Sequence, residues 1–257
     1  MNVGQFLAVV VSSFYLVGCF RPTFQPGEMP LPRTTAQEMC GDVNKKRIAT
    51  ESLRVLVDAT ISSGSERASF RYVILSREPS SFRVDVLPIN GALTLGLLVA
   101  HDGRAVWLNA QEKTYSEEKD EKKLVAEYLG LRGVSRETAV ALMTGMVPKL
   151  SCPDVRVYQL VGGDKLFVDD SSHVAWRVKG TSPEVVSVQI LDDSGSAVEV
   201  EGEISPAVGG ASRMVILDVF SPARARVDMS LTKVVYNPTL SDQLFEVRPP
   251  RDYSRVD

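Results

Sequence analysis

The stretch Leu53-Arg-Val-Leu-Val-Asp-Ala-Thr-Ile61 decides the fold. Leu53, Val55, Val57, Ala59 and Ile61 fall on one face, interleaved with Arg54, Asp58 and Thr60, which is the two-residue period of a half-buried strand. The turn Ser62-Ser-Gly-Ser65 sends the chain into a second strand with Ala68, Phe70, Tyr72 and Ile74 on one face. After the turn Glu78-Pro-Ser-Ser81, a third strand alternates Phe82, Val84 and Val86 with Arg83 and Asp85. Connections this short join antiparallel neighbours.

Working outward, Pro88-Ile-Asn-Gly91-Ala-Leu-Thr-Leu-Gly-Leu-Leu-Val99 is unusually apolar and interrupted by glycine. It reads either as a loop projecting Leu93 and Leu95, or as a buried strand in which Leu93, Leu95, Leu97 and Val99 alternate. The tight turn His101-Asp-Gly-Arg104, a short strand to Asn109 containing Trp107, and residues Glu112 to Ser116 complete this block. Two helices interrupt it. The first runs from about Lys119 to Leu129, with Leu124, Val125, Tyr128 and Leu129 as its apolar stripe. The second runs from Ser135 to about Thr144, burying Ala139, Leu142 and Met143, and Gly145 and Pro148 end it. Strands resume at 155–161, 164–170, 173–179, 184–191, 197–204, 213–220 and 225–236. A short helix over Thr34–Lys46, capped by Thr34 or Thr35, precedes the first strand. Strands, two helices, then strands again predict an α+β domain over 34–250, an antiparallel sheet with helices gathered against one face. Residues 251–257 form a C-terminal tail.

The first eighteen residues have a different character. An apolar run from Phe6 to Val17, broken by Ser12 and Ser13, is shorter than the roughly 20 residues that span a bilayer and has the length of a signal-peptide core. It ends in Leu16-Val17-Gly18-Cys19, which resembles the lipobox of bacterial lipoproteins. That resemblance implies cleavage before Cys19 and a diacylglycerol on its thiol, with acyl chains such as palmitate holding the protein on a membrane. From Cys19 to Arg33, four prolines and a glycine preclude a helix and make an extended tether. Phe20 stands where Asp retains enterobacterial lipoproteins in the inner membrane. By that resemblance the periplasmic face of the outer membrane is the expected address, with inner-membrane anchoring left open.

Net charge is −3 and no long basic stretch exists, so nucleic acid is not an expected partner. Besides Cys19 there are Cys40 and Cys152, which either pair in an oxidising compartment or remain two buried thiols. The two histidines, His101 and His173, lack the setting of a hydrolytic triad, because Asp169-Asp-Ser-Ser-His173 reads as a polar turn. No HExxH, Walker loop, CxxC or clustered metal ligands occur. An enzyme is disfavoured, and no catalytic residue, metal or cofactor is expected.

The element order resembles the lipoprotein-carrier superfamily of LolA and LolB. Phe82-Arg-Val-Asp-Val-Leu-Pro-Ile-Asn-Gly91 is similar to its strand reaching a Pro-x-x-Gly turn, and Asp102-Gly103 with Ala105-Val-Trp107 to its exposed hairpin. Residues Lys119 to Pro148, with Tyr128-Leu-Gly-Leu131 and Leu142-Met-Thr-Gly145, resemble its helical insert. Asn237-Pro-Thr-Leu240 and Phe245-Glu-Val-Arg-Pro249 resemble its closing strand. The resemblance implies an incompletely closed half-barrel covered by central helices, whose concave face takes acyl chains or lipoproteins delivered by a periplasmic carrier. It also implies a hydrophobic loop at Leu93 and Leu95. The inward-facing candidates for the cavity wall are Val55, Val57, Phe70, Tyr72, Phe82, Val84 and Val86. Phe220, Val227 and Met229 face them, with Leu124, Tyr128, Leu142 and Met143 as the helical cover. The same residues would equally make a filled core in a non-enzymatic interaction lipoprotein of the cell envelope. Arg54, Arg71 and Arg83 are either head-group contacts or solvated strand-face residues.

Overall fold

The computed structural model describes residues 29–46, 50–78, 81–91, 93–119, 136–180, 182–191, 198–205, 213–220 and 224–256. The alternation around Leu53 becomes β1 (Ser52–Ser63), followed by β2 (Glu66–Arg77), β3 (Ser81–Pro88), β4 (Gly96–His101), β5 (Arg104–Asn109) and β6 (Thr114–Glu118). The second block is β7 (Val155–Gln159), β8 (Lys165–Asp169), β9 (Val174–Val178), β10 (Val185–Leu191), β11 (Val198–Ser205), β12 (Arg213–Val219) and β13 (Ala225–Tyr236), with β14 (Ser254–Arg255) last. Helix α1 covers Arg33–Lys46 and α2 covers Arg136–Thr144.

All fourteen described strands form one sheet in the order β14-β6-β5-β4-β3-β2-β1-β13-β12-β11-β10-β9-β8-β7. Two meanders are joined where the first long strand meets the last: Leu53 faces Tyr236 and Ile61 faces Val227. The open edges are β7 and the β6–β14 pair, and residues 119–154 connect them in sequence. Trp107 of β5 and Trp176 of β9, far apart in the strand order, share one buried cluster with Val55, Val57, Phe167 and Leu217. The sheet is therefore curled around that inward face.

Two glycines mark where the inner face admits no Cβ. At Gly96 it would lie 2.4 Å from the Trp107 ring, and at Gly202 it would lie 2.7 Å from Leu217 and 2.8 Å from Val188.

The fold is mostly β rather than α+β, and the two described helices are not central. The first expected insert helix, including Leu124 and Tyr128, falls within 120–135, outside the described residues. Helix α1 lies against β7 and the turn Cys152–Asp154. Its first turn begins with the Ala36 N–H donating to Pro32 O at 2.9 Å, so Thr34 and Thr35 lie inside the helix rather than capping it. A disulfide joins Cys40 to Cys152, whose Cα atoms are 5.5 Å apart. Beside it, the Asn44 amide donates to Leu150 O at 3.0 Å and accepts from Leu150 N–H at 3.1 Å. Helix α2 is held by Arg213, whose guanidinium donates to Thr144 O and, at 3.4 Å, to Met143 O. A cation suits a helix C-terminus, where unpaired carbonyls carry partial negative charge. Gly145, at φ +65°, both ends the helix and leaves room for that guanidinium.

Contacts among the described residues reach past both ends of 34–250. The Leu31 N–H donates to Val157 O on the β7 edge at 2.8 Å. At the other end, β14 pairs in parallel with β6 through Ser254 and Arg255. The segment read as a closing strand is instead an irregular strap across the outer face of β2–β4. There Phe245 sits with Leu75 and Val99, flanked by Leu97, Leu240, Leu244 and Val247.

Candidate functional site

Antiparallel alternation sends the inward side chains of neighbouring strands to one concave face. Val55, Val57, Phe82, Val84 and Val86 are buried there, and Leu142 and Met143 of α2 pack into the same cluster. Phe70, Tyr72, Val227 and Met229 lie against that cluster but remain half-buried. Ala59 connects them, facing Phe70 on β2 and Met229 on β13, while Ile61, also half-buried, continues the alternation opposite Ala68 and Val227. The middle of the concave face thus carries an accessible apolar patch on β1, β2 and β13, whereas the flanking strands are packed shut.

Phe220 is half-buried and is absent from the described core cluster. The inward positions of β12 are Val215, Leu217 and Val219, with Asp218 between them pointing the parity out in advance. Arg213 shares that parity. One row across the sheet therefore reads Tyr72, Val57, Leu231, Arg213, each residue register partner of the next. Arg213 Nε is buried without a hydrogen-bond partner among the described residues. Burial pushes the Tyr72 phenol up to about 12.

On the opposite face, the strand arginines meet carboxylates. Arg71 pairs with Asp58 at 2.7 Å and Arg83 with Asp85 at 2.7 Å. These are cross-strand and local pairs on the outer surface, of modest worth to stability. The Asp169–His173 segment is a turn in which Asp169 accepts from the Ser171 N–H and hydroxyl and Asp170 pairs with Arg156. Among the described residues no group of three potential metal ligands forms, and no helix is long and apolar enough to cross a membrane.

The β3–β4 loop divides the two readings of 88–99. Leu93 is 82% exposed. Leu95 is half-buried and in the ladder, its N–H donating to Val86 O at 2.7 Å and its carbonyl accepting from the Ala110 N–H at 3.0 Å. Beyond it the strand is covered on both sides, with Leu98 and Ala100 in the main core and Leu97 and Val99 under Phe245. Strand directions put this loop on the same rim as the β8–β9 turn. Near that turn the chain enters the domain, since Pro30, Leu31 and Arg33 share a groove of about 640 Å³ with Pro153, Arg156, Asp170 and Ser171.

The single open sheet curled over an apolar concave face is a fold shared with solved structures. The chain matches a LolA superfamily protein from Nitrosomonas europaea with a TM-score of 0.54 and 11% identity, over 82% of this chain and 97% of that one. It matches an outer membrane lipoprotein-sorting protein domain from Vibrio parahaemolyticus at a TM-score of 0.56 and 10% identity, over 83% and 97%. A DUF1329 family protein from Desulfovibrio piger gives 0.57 and 10%, over 84% and 97%. No sequence-family description and no curated protein matches the chain. At these identities the likeness is one of fold, and the chain is a divergent example of it.

Proposed function

We propose that this chain is a lipid-anchored envelope protein that binds acyl chains or lipoproteins on its concave face and passes them on without catalysis. The observation that carries the reading is the half-buried patch of Ile61, Phe70, Tyr72, Val227 and Met229 in an otherwise packed inner face. Covering such a surface with methylenes is favourable at about 25 cal/mol per Å². Leu16-Val17-Gly18-Cys19 supplies the anchor, with lipid on Cys19 and the periplasmic face of the outer membrane as its address. A soluble periplasmic carrier is the natural donor of cargo.

The test is mass spectrometry of lipid retained by the purified full-length protein, alongside uptake of a neutral apolar fluorophore. Bound acyl lipid and a saturable fluorescence rise are expected; a lipid-free protein that takes up no fluorophore would sink the reading.

Leu93 fits a contact with the acceptor membrane, on the rim where the tether enters. Leu93→Asp is expected to leave stability within about 0.5 kcal/mol, as for an exposed site. Transfer of a fluorescent acyl cargo to vesicles should slow several-fold. Unchanged transfer would remove Leu93 from the mechanism. Leu95 is the poorer target, because its backbone and half-buried side chain belong to the sheet.

A second reading is a non-enzymatic interaction lipoprotein with a filled interior. It draws support from Trp176 and Phe167, each 1% exposed, which fill the β8–β9 flank of the concave face. The fluorophore titration separates the two.

A further inference from the structure

Tyr72 stands out on the concave patch. Its neighbours by register and alternation are Val57, Ile74, Val86 and Phe70, all apolar. Its ring lies 6.4 Å from that of Phe70, and its hydroxyl finds no hydrogen-bond partner among the described residues. Phenylalanine would supply the same packing, so the hydroxyl adds a polar group among apolar side chains without being a buried unsatisfied one. The residue is only half-buried, so the hydroxyl borders the accessible part of the face rather than the closed core.

We infer that the Tyr72 hydroxyl donates a hydrogen bond to the carbonyl oxygen of a neutral acyl group, an ester or an amide, bound on the concave patch. This rests on the acyl-binding reading above and narrows it, from any hydrocarbon to acyl esters and amides.

Three features select that partner. The phenol is protonated throughout the physiological range, since burial holds its titration near 12, so it offers a donor and calls for an acceptor. The wall around it is apolar, which disfavours a carboxylate there, because an unpaired charge is far costlier to bury than a carbonyl. The cation in the same row, Arg213, is separated from Tyr72 by the columns of Val57 and Leu231, three strand spacings or roughly 14 Å along the sheet. Its guanidinium already serves the end of α2. A small number of placed polar groups in an apolar pocket is how such sites fix the orientation of an oily ligand.

The experiment displaces phenylnaphthylamine from the full-length protein with methyl dodecanoate, with tridecane and with dodecanoate, and repeats the titrations with Tyr72→Phe. The variant keeps the ring, and a matching thermal unfolding curve verifies its fold. The ester's advantage over the hydrocarbon is expected to fall roughly three- to tenfold in the variant, the worth of one hydrogen bond, while tridecane binding is unchanged. If the ester and the hydrocarbon bind but their ratio is the same in both proteins, the role of Tyr72 is overturned and acyl binding stands. If dodecanoate loses more affinity than the ester, the preference for a neutral carbonyl is overturned. If none of the three displaces the fluorophore, the acyl-binding reading itself fails.

Discussion

Replacing Cys40 and Cys152 together by alanine lowers the free energy of unfolding by about 2–5 kcal/mol, read from urea curves under non-reducing conditions. The bridge closes a loop with a sequence separation of 112. In the chain-entropy account a loop of that size restrains the unfolded state by about 4.7 kcal/mol. The native state keeps part of the junction without it, because the Asn44 amide still grips both backbone groups of Leu150. The expected variant is therefore folded but weaker, with α1 freed first from β7. Hydrogen exchange checks the order: amides of Ala36 to Asn44 should lose protection before those of β1. A loss below about 1 kcal/mol would mean that Asn44 and the apolar contacts of Ala36 and Val43 hold the junction by themselves.

Phe245→Ala should cost about 3–5 kcal/mol, the usual range for emptying a phenylalanine site. Phe245 is 1% exposed between Leu75 and Val99. Its ring stacks on His101 at a centroid distance of 6.1 Å, and the Arg77 guanidinium lies 5.2 Å from its centre. Arg77 also pairs with Asp242 at 2.5 Å and donates to Leu240 O at 3.0 Å, and Arg83 donates to Leu244 O at 2.9 Å. The strap thus has one apolar pin and two arginine clasps. Without the pin, trypsin should cut after Arg251 at folded-state temperatures where the parent protein resists. A variant equally stable and equally resistant would show that the clasps suffice.

The long strands were legible in the sequence because each buries one face. In β1 and β3, Arg54, Asp58, Arg83 and Asp85 mark the outside, and the register follows. β4 is different. With Leu98 and Ala100 in one core and Leu97 and Val99 in another, the period-two signal disappears, and Leu93, Leu95, Leu97 and Val99 read as one face although they serve three environments. The strap escaped for a related reason: its apolar residues Leu240, Leu244, Phe245 and Val247 follow no strand or helix period, since an irregular segment reaches its pockets one side chain at a time. The meeting of β1 with β13 has no local signature at all, being a pairing of segments at opposite ends of the chain. On the candidate site, Phe70, Tyr72, Val227 and Met229 were recognisable by alternation. Their partial exposure was not, because burial depends on what the far side of the face supplies. Arg213 was hidden by its charge, which argues for the outside until the carbonyls of α2 are set beside it.

The seam between β1 and β13 also fixes an order of events during maturation. A chain that emerges from its N-terminus makes β1 early, yet β1 keeps an unpaired edge until residues 225–236 arrive. Closing so long a loop is slow relative to forming hairpins, because entropy is lost before the distant contacts repay it. The hairpins of both meanders are therefore assembled while the middle of the sheet is still missing. Cys40 and Cys152 both precede the second meander, so oxidation can cross-link α1 to the approach of β7 before the seam exists. A covalent clasp formed at that stage shortens the search for the final pairing, and the apolar concave face is completed only by the last long strand to be made.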